Sequence, residues 1–481
     1  MSSIVERLDF LLFTWTLCTG PWNKTMPGAC RYLFICEKRS RLFCLFGEHC
    51  SESSIEVTYT TSRYIIPHHD YFVYTTNGEH CSESSIEVTY TTSRYIIPHH
   101  DYFVNTTNGE HCSESSIEVT YTTSRYIIPH HDYFVYTTNG EHCSESSIEV
   151  THTTSRYIIP HHDYFVNTTN GEHCSESSIE VTYTTSRYII PHHDYFVYTT
   201  NGEHCSESSI EVTYTTSRYI IPHHDYFVYT TNGEHCSESS IEVTYTTSRY
   251  IIPHHDYFVY TTNGEHCSES SIEVTYTTSR YIIPHHDYFV YTTNGEHCSE
   301  SSIEVTYTTS RYIIPHHDYF VYTTNGEHCS ESSIEVTYTT SRYIIPHHDY
   351  FVYTTNGEHC SESSIEVTYT TSRYIIPHHD YFVYTTNGEH CSESSIEVTY
   401  TTSRYIIPHH DYFVYTTNGE HCSESSIEVT YTTSRYIIPH HDYFVYTTNG
   451  EHCSESSIEV TYTTSRYIIP HHDYFVNTTN D

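Results

Sequence analysis

The sequence predicts an all-β stacked tandem-repeat array, a β-solenoid with one 31-residue coil per repeat. Three observations predict it. Residues 47–480 are one 31-residue unit written fourteen times. The unit is rich in β-branched and aromatic residues, which favour strands. No segment sustains a helical apolar period. An antiparallel meander closed by Asn-Gly hairpins and a disordered chain are the alternatives.

Within the first copy, residues 54–66 read as a strand. Ile55, Val57 and Tyr59 share one face, and Glu56, Thr58 and Thr60 share the other. The first face is the expected core, joined by Ile65 and Val73. Arg63 would point inward if that phase continued, so a bend is expected near Thr61 and Ser62. Pro67 has no N–H to give to a ladder and ends the strand. His68, His69 and Asp70 read as a turn, and residues 71–76 read as a second strand. Asn77 and Gly78 suit a turn with positive φ. Residues 79–84 are polar and are expected to form a short third side. At the usual strand spacing, fourteen coils make a rod of about 67 Å.

Residues 1–46 are a non-repeat leader, 47–480 the array, and Asp481 the terminal residue. The apolar run at residues 10–18 is too short for a bilayer, which takes roughly 20 residues. It fits the core of a secretion signal, with Glu6 and Asp9 crowding its flank, and favours a secreted or extracellular location. The leader contributes no transmembrane segment on this reading. Its apolar stretches at 32–36 and 42–46 would cap the first rung. Asn-x-Thr acceptor patterns for glycosylation stand at Asn23, Asn105, Asn167 and Asn477.

The copies differ at only four positions. Asn105, Asn167 and Asn477 replace the residue equivalent to Tyr74, and His152 replaces that equivalent to Tyr59. A fold needs recurring apolar positions, not identical loop residues in every turn. Near-identity therefore points to recent duplication of DNA, and each departure lies one base change from tyrosine. A translated tandem repeat with no selected function is one reading of such regularity. The signatures of ankyrin, tetratricopeptide and leucine-rich repeats are absent.

The formal net charge is −40. Each ordinary unit sets Glu48, Glu52, Glu56 and Asp70 against Arg63 alone. Such a chain repels nucleic acid and anionic membranes, and attracts cations or basic partners. Stacked like charges about 4.8 Å apart cost roughly 0.9 kcal/mol per pair in water before salt screening. His49, His68 and His69 would cancel the charge of a unit on protonation. The expected consequence is a nearly neutral, self-associating array as pH falls from about 7.5 to 5.5. Of eighteen cysteines, four lie in the leader and one in each unit from Cys50 onward. That is not a self-contained disulfide framework. Pairing between rungs and burial as small apolar residues both remain open.

No phosphate-binding glycine loop, GxSxG elbow, HExxH or CxxC motif is present. The sequence thus predicts no enzyme, no catalytic residues and no organic cofactor. His49, Cys50, His68, His69, Asp70 and their repeat equivalents are donors of the types that hold divalent cations such as zinc or calcium. Thr58 and Thr60 form a surface threonine rank. The Thr58, Tyr59, Thr60 triplet resembles the Thr-x-Thr pattern of insect antifreeze solenoids, a resemblance that implies an ice-binding face. Recurrent tyrosine and histidine suit a structural material, and many identical units give multivalent binding. The function expected is structural or multivalent binding with pH- or cation-dependent association.

Overall fold

The computed structural model describes residues 40–46, 51–59, 62–65 and 69–76 and, from residue 82 to 480, two strands per repeat with the step between them. Residues 1–39, most of each Asn-Gly-Glu-His-Cys junction, 60–61, 66–68 and 481 lie outside that description. The described part is a β-solenoid of two parallel 15-stranded sheets. One holds the long strands, typified by Ser237–Ile251, and the other the short strands, typified by His254–Thr262. Every pairing between repeats is parallel and joins residues one repeat apart, so Ile210, Ile241 and Ile272 lie on one ladder. An antiparallel meander is excluded. No helix among the described residues is long and apolar enough to cross a membrane.

Alternation builds the core as expected along the first strand. Ile241, Val243 and Tyr245 are buried, while Glu242 is exposed. The bend also falls where Arg63 required it. In the equivalent stretch Tyr245 is buried, Thr246 half-buried, Thr247 exposed and Ser248 buried again. The ladder skips Thr246 and Arg249. This phase slip turns Arg249 outward, with its guanidinium 5.5 Å from the Tyr250 ring centroid.

The proline step between the sheets keeps the ladder intact because proline still accepts a hydrogen bond. The His254 amide bonds to the Pro222 carbonyl at 3.0 Å. Two expectations need correction. The positions equivalent to His68, His69 and Asp70 do not form a turn in the later repeats. There both histidines and the aspartate open the short strand, as at His254, His255 and Asp256. A separate third side is also absent from the described residues, since Ser82, Glu83 and Ser84 begin the long strand. The Asn77–Gly78 turn lies outside the described residues. In the leader, the strand Ser40–Phe46 pairs with His69–Thr76, which places residues 42–46 over the first rung of that sheet.

The last rung tests what stacking contributes. Ile251, in mid-rod, has no exposure, whereas Ile468 in the final long strand is 37% exposed. Ile251→Ala should therefore cost about 2–5 kcal/mol. Ile468→Ala should cost a small fraction of that. Chemical denaturation with hydrogen exchange of the affected rung measures both, and equal losses would contradict the packing described.

Candidate functional site

Period-two alternation divides each short strand between two environments. His254, Asp256, Phe258 and Tyr260 face outward, while His255, Tyr257, Val259 and Thr261 face inward. Because identical residues stack, each position becomes a row along the rod. Outward imidazoles 254 and 285 stack at 4.9 Å, phenyl rings 258 and 289 at 4.8 Å, and phenols 260 and 291 at 4.9 Å. The row of phenols is interrupted where Asn167 stands, which leaves Tyr198 39% exposed.

The histidine and aspartate rows line a long groove of about 1360 Å³, reaching from His192 to Asp473. Partial burial and the imidazoles on either side lower the pKa of His254. Partial burial raises that of Asp256, and at Asp225 neighbouring carboxylates add to the same effect. Burial and flanking glutamates likewise raise Glu180 and Glu304 on the long-strand sheet. These are the like-charge ladders that the sequence implies, and at Asp225, Glu180 and Glu304 burial first and the neighbouring copies second make the carboxylate hold its proton more readily.

The inward histidine has a different chemistry. The Tyr245 hydroxyl lies 2.7 Å from Nε2 of His255, and both residues are buried. The same contact recurs from Tyr183–His193 to Tyr431–His441 at 2.7–2.8 Å. At His224, Nδ1 lies 3.3 Å from the His193 carbonyl oxygen. That acceptor places the imidazole proton on Nδ1, so Nε2 accepts from the Tyr214 hydroxyl. Burial, then neighbouring imidazoles, holds His255 well below the ordinary histidine range. His152, in the interior place of a tyrosine, is pushed down to about 3 by burial alone.

A second interior network is made of hydroxyls. Ser239 donates to Thr230 at 2.7 Å and Thr261 donates to Ser239 at 3.0 Å, a pattern that continues rung after rung. Neither this file nor the tyrosine–histidine pairs was anticipated. The signal was available, because counting back by twos from Val73 reaches Tyr71 and then His69.

The fold thus separates three candidate ligands. Positions equivalent to His68 and Asp70 face outward along the groove, and the position equivalent to His69 borders it but is buried. His49 and Cys50 lie outside the described residues. No cluster of three or more His, Cys, Asp or Glu able to hold a metal ion occurs among the described residues. The threonine rank is divided as well. Thr244, equivalent to Thr58, donates to Glu242 at 3.4 Å. Thr246, equivalent to Thr60, donates to the Tyr214 carbonyl at 3.1 Å. Asn105 and Asn167 stand on the outer face of short strands, each accepting from the threonine two residues on at 3.5 and 3.4 Å. Asn477 lies in the last short strand, and Asn23 is outside the described residues. No family model, curated protein or solved structure matches this chain.

The expected loss of charge through three histidines per unit meets a geometry in which the position equivalent to His69 is interior, while His49 and its equivalents lie outside the described residues. Burial holds interior imidazoles such as His255 well below the ordinary histidine range, and partial burial with flanking imidazoles lowers the outer His130, His192 and His254. Their folded pKa values are depressed, so the unfolded chain binds more protons once pH drops below about 6.5. Stability from these groups is complete above that value and declines beneath it. Raised carboxylates act in the opposite sense, but only nearer their own lower range. The unfolding midpoint in urea should fall between about pH 7 and 5.5, with proton uptake per repeat well short of three. Potentiometric titration beside urea melts checks both, and full uptake by a folded rod would refute the buried row.

Alkali provides a complementary reading. Burial drives the Tyr245 and Tyr257 hydroxyls well above the tyrosine range. Stability from such groups is present below about pH 10 and is lost above it, as the unfolded phenols ionise. Ultraviolet titration should show that the tyrosines of these interior rows ionise only with loss of β circular dichroism.

Proposed function

We propose that the chain is a non-enzymatic structural rod that binds cations or basic partners multivalently along its histidine–aspartate groove, with protons or cations governing self-association. The carrying observation is the outward pair His254 and Asp256, repeated in register from rung to rung along that groove. One site of this kind is weak, since an exposed ion pair contributes little. A partner that engages several rungs at once gains avidity without any strong single contact. The surplus of carboxylates over arginine selects for positive charge. A reading with no selected function is favoured by a separate observation, the near-identity of fourteen copies. An excess of silent over replacement differences among the copies would speak for a selected protein.

Binding is tested by titrating the full chain with calcium, zinc or oligolysine, following heat and light scattering. The parent should respond to at least one of them. A chain carrying Asp256→Asn, Asp287→Asn, Asp318→Asn and Asp349→Asn should respond more weakly. A parent that gives neither heat nor scattering, or a variant that responds equally, would remove the groove as the site.

A further inference from the structure

The interior holds an arrangement that the proposed groove does not use. Ten tyrosines, from Tyr183 to Tyr462, form an unbroken row along the long-strand sheet. Successive rings stack with centroids 4.9–5.0 Å apart and planes within 5°. Each phenol has an imidazole of its own at hydrogen-bond distance, from 2.7 Å at Tyr183 to 3.0 Å at Tyr462. A parallel row through Tyr257 also stacks at 4.8–4.9 Å, yet its buried hydroxyls find no hydrogen-bond partner among the described residues. At His224 the Nδ1 contact to the His193 carbonyl leaves Nε2 as the acceptor, and the same hydroxyl–Nε2 spacing recurs along the row. Nδ1 of His255 and of its later equivalents finds no partner among the described residues. The neighbouring row has no base beside its hydroxyls.

That contrast matters for oxidation. Removing an electron from a phenol makes its proton strongly acidic, and a buried phenol with no acceptor must retain the resulting charge at high cost. A hydrogen-bonded imidazole accepts the proton as the electron leaves. We propose that the row from Tyr183 to Tyr462 conducts one-electron oxidation along the rod, with each paired histidine holding the proton of its own tyrosine.

The entry point is Tyr462, half-buried on the final rung. A high-potential one-electron oxidant takes an electron from its phenol. The O–H bond breaks, the proton passes to Nε2 of His472, and a neutral tyrosyl radical faces an imidazolium. Tyr431 then donates an electron to that radical. His472 returns its proton to the Tyr462 oxygen, while the Tyr431 proton moves to His441. Tyr431 is now oxidised and Tyr462 restored, so one electron has moved toward the end of the chain. Protons travel only within each pair. The process halts at His152, whose ring stacks on Tyr183 at 4.8 Å but carries no phenol.

The test uses the full chain with a ruthenium polypyridyl photo-oxidant attached to its C-terminus and Tyr214→3-aminotyrosine as a low-potential trap. Flash oxidation with persulfate as the final electron acceptor should give the aminotyrosyl radical by electron paramagnetic resonance, formed more slowly in deuterated water. Tyr338→Phe keeps the ring and removes the proton-bearing oxygen, and should abolish the trap signal. Tyr350→Phe, in the row without bases, should leave it unchanged. Circular dichroism of both variants shows that the stack persists. Should Tyr338→Phe fail to fold, His348→Phe and the deuterium effect on the parent decide the matter. No trap radical in the parent, no deuterium effect, or equal signal from an interrupted row would overturn the proposal. No cation or basic partner is added in this experiment, so its outcome is independent of the binding proposal.

Discussion

Along the described strands, a mid-rod residue stacks between its repeat equivalents above and below, and that single constraint governs everything else. Parallel stacking in register is favourable for a flat ring or a branched aliphatic chain, which meets an identical shape. It is unfavourable for a carboxylate, which meets an identical charge. The unit satisfies both demands by period-two alternation. Ile241, Val243, Tyr245 and Tyr257 stack where water is absent, and Glu242 and Asp256 stack where solvent and ions screen them.

Interior polar groups follow from the same rule. A lone buried histidine would need a partner found by tertiary accident. Here Nε2 of His255 meets the Tyr245 hydroxyl because the two sheets face each other, and the contact recurs in each rung from Tyr183–His193 to Tyr431–His441. The hydroxyl file through Ser239 and Thr261 arises likewise. His152 shows what one departure does. Its ring continues the stack between Tyr121 and Tyr183 at 4.6 and 4.8 Å, but both ring nitrogens lack partners among the described residues. Stacking tolerates the change, and hydrogen bonding does not compensate for it.

Much of the fold was legible in the sequence because it rests on local pattern. Ile55, Val57 and Tyr59 disclosed the inward face, and the awkward phase of Arg63 disclosed the bend. The error at His68, His69 and Asp70 has a physical origin. Three polar residues after a proline resemble a turn when judged by composition. In an array, the phase set by Val73 and Tyr71 outweighs composition, and the interior position of His69 is made tolerable by a tyrosine on the facing sheet. No single strand reveals that partner. The groove was hidden for a related reason, since its donors become a surface only when rungs are placed one upon another.

The pairing of strand residues with those a repeat away carries an evolutionary consequence. Excising one whole copy would bring two equivalent strands together and leave each remaining ladder with the neighbours it has now. Inserting a copy would lengthen the molecule by one strand spacing and alter nothing in cross-section. Unequal recombination, which would wreck most proteins, here acts as a ruler. The gene can change the size of its product in whole steps without searching for a new fold.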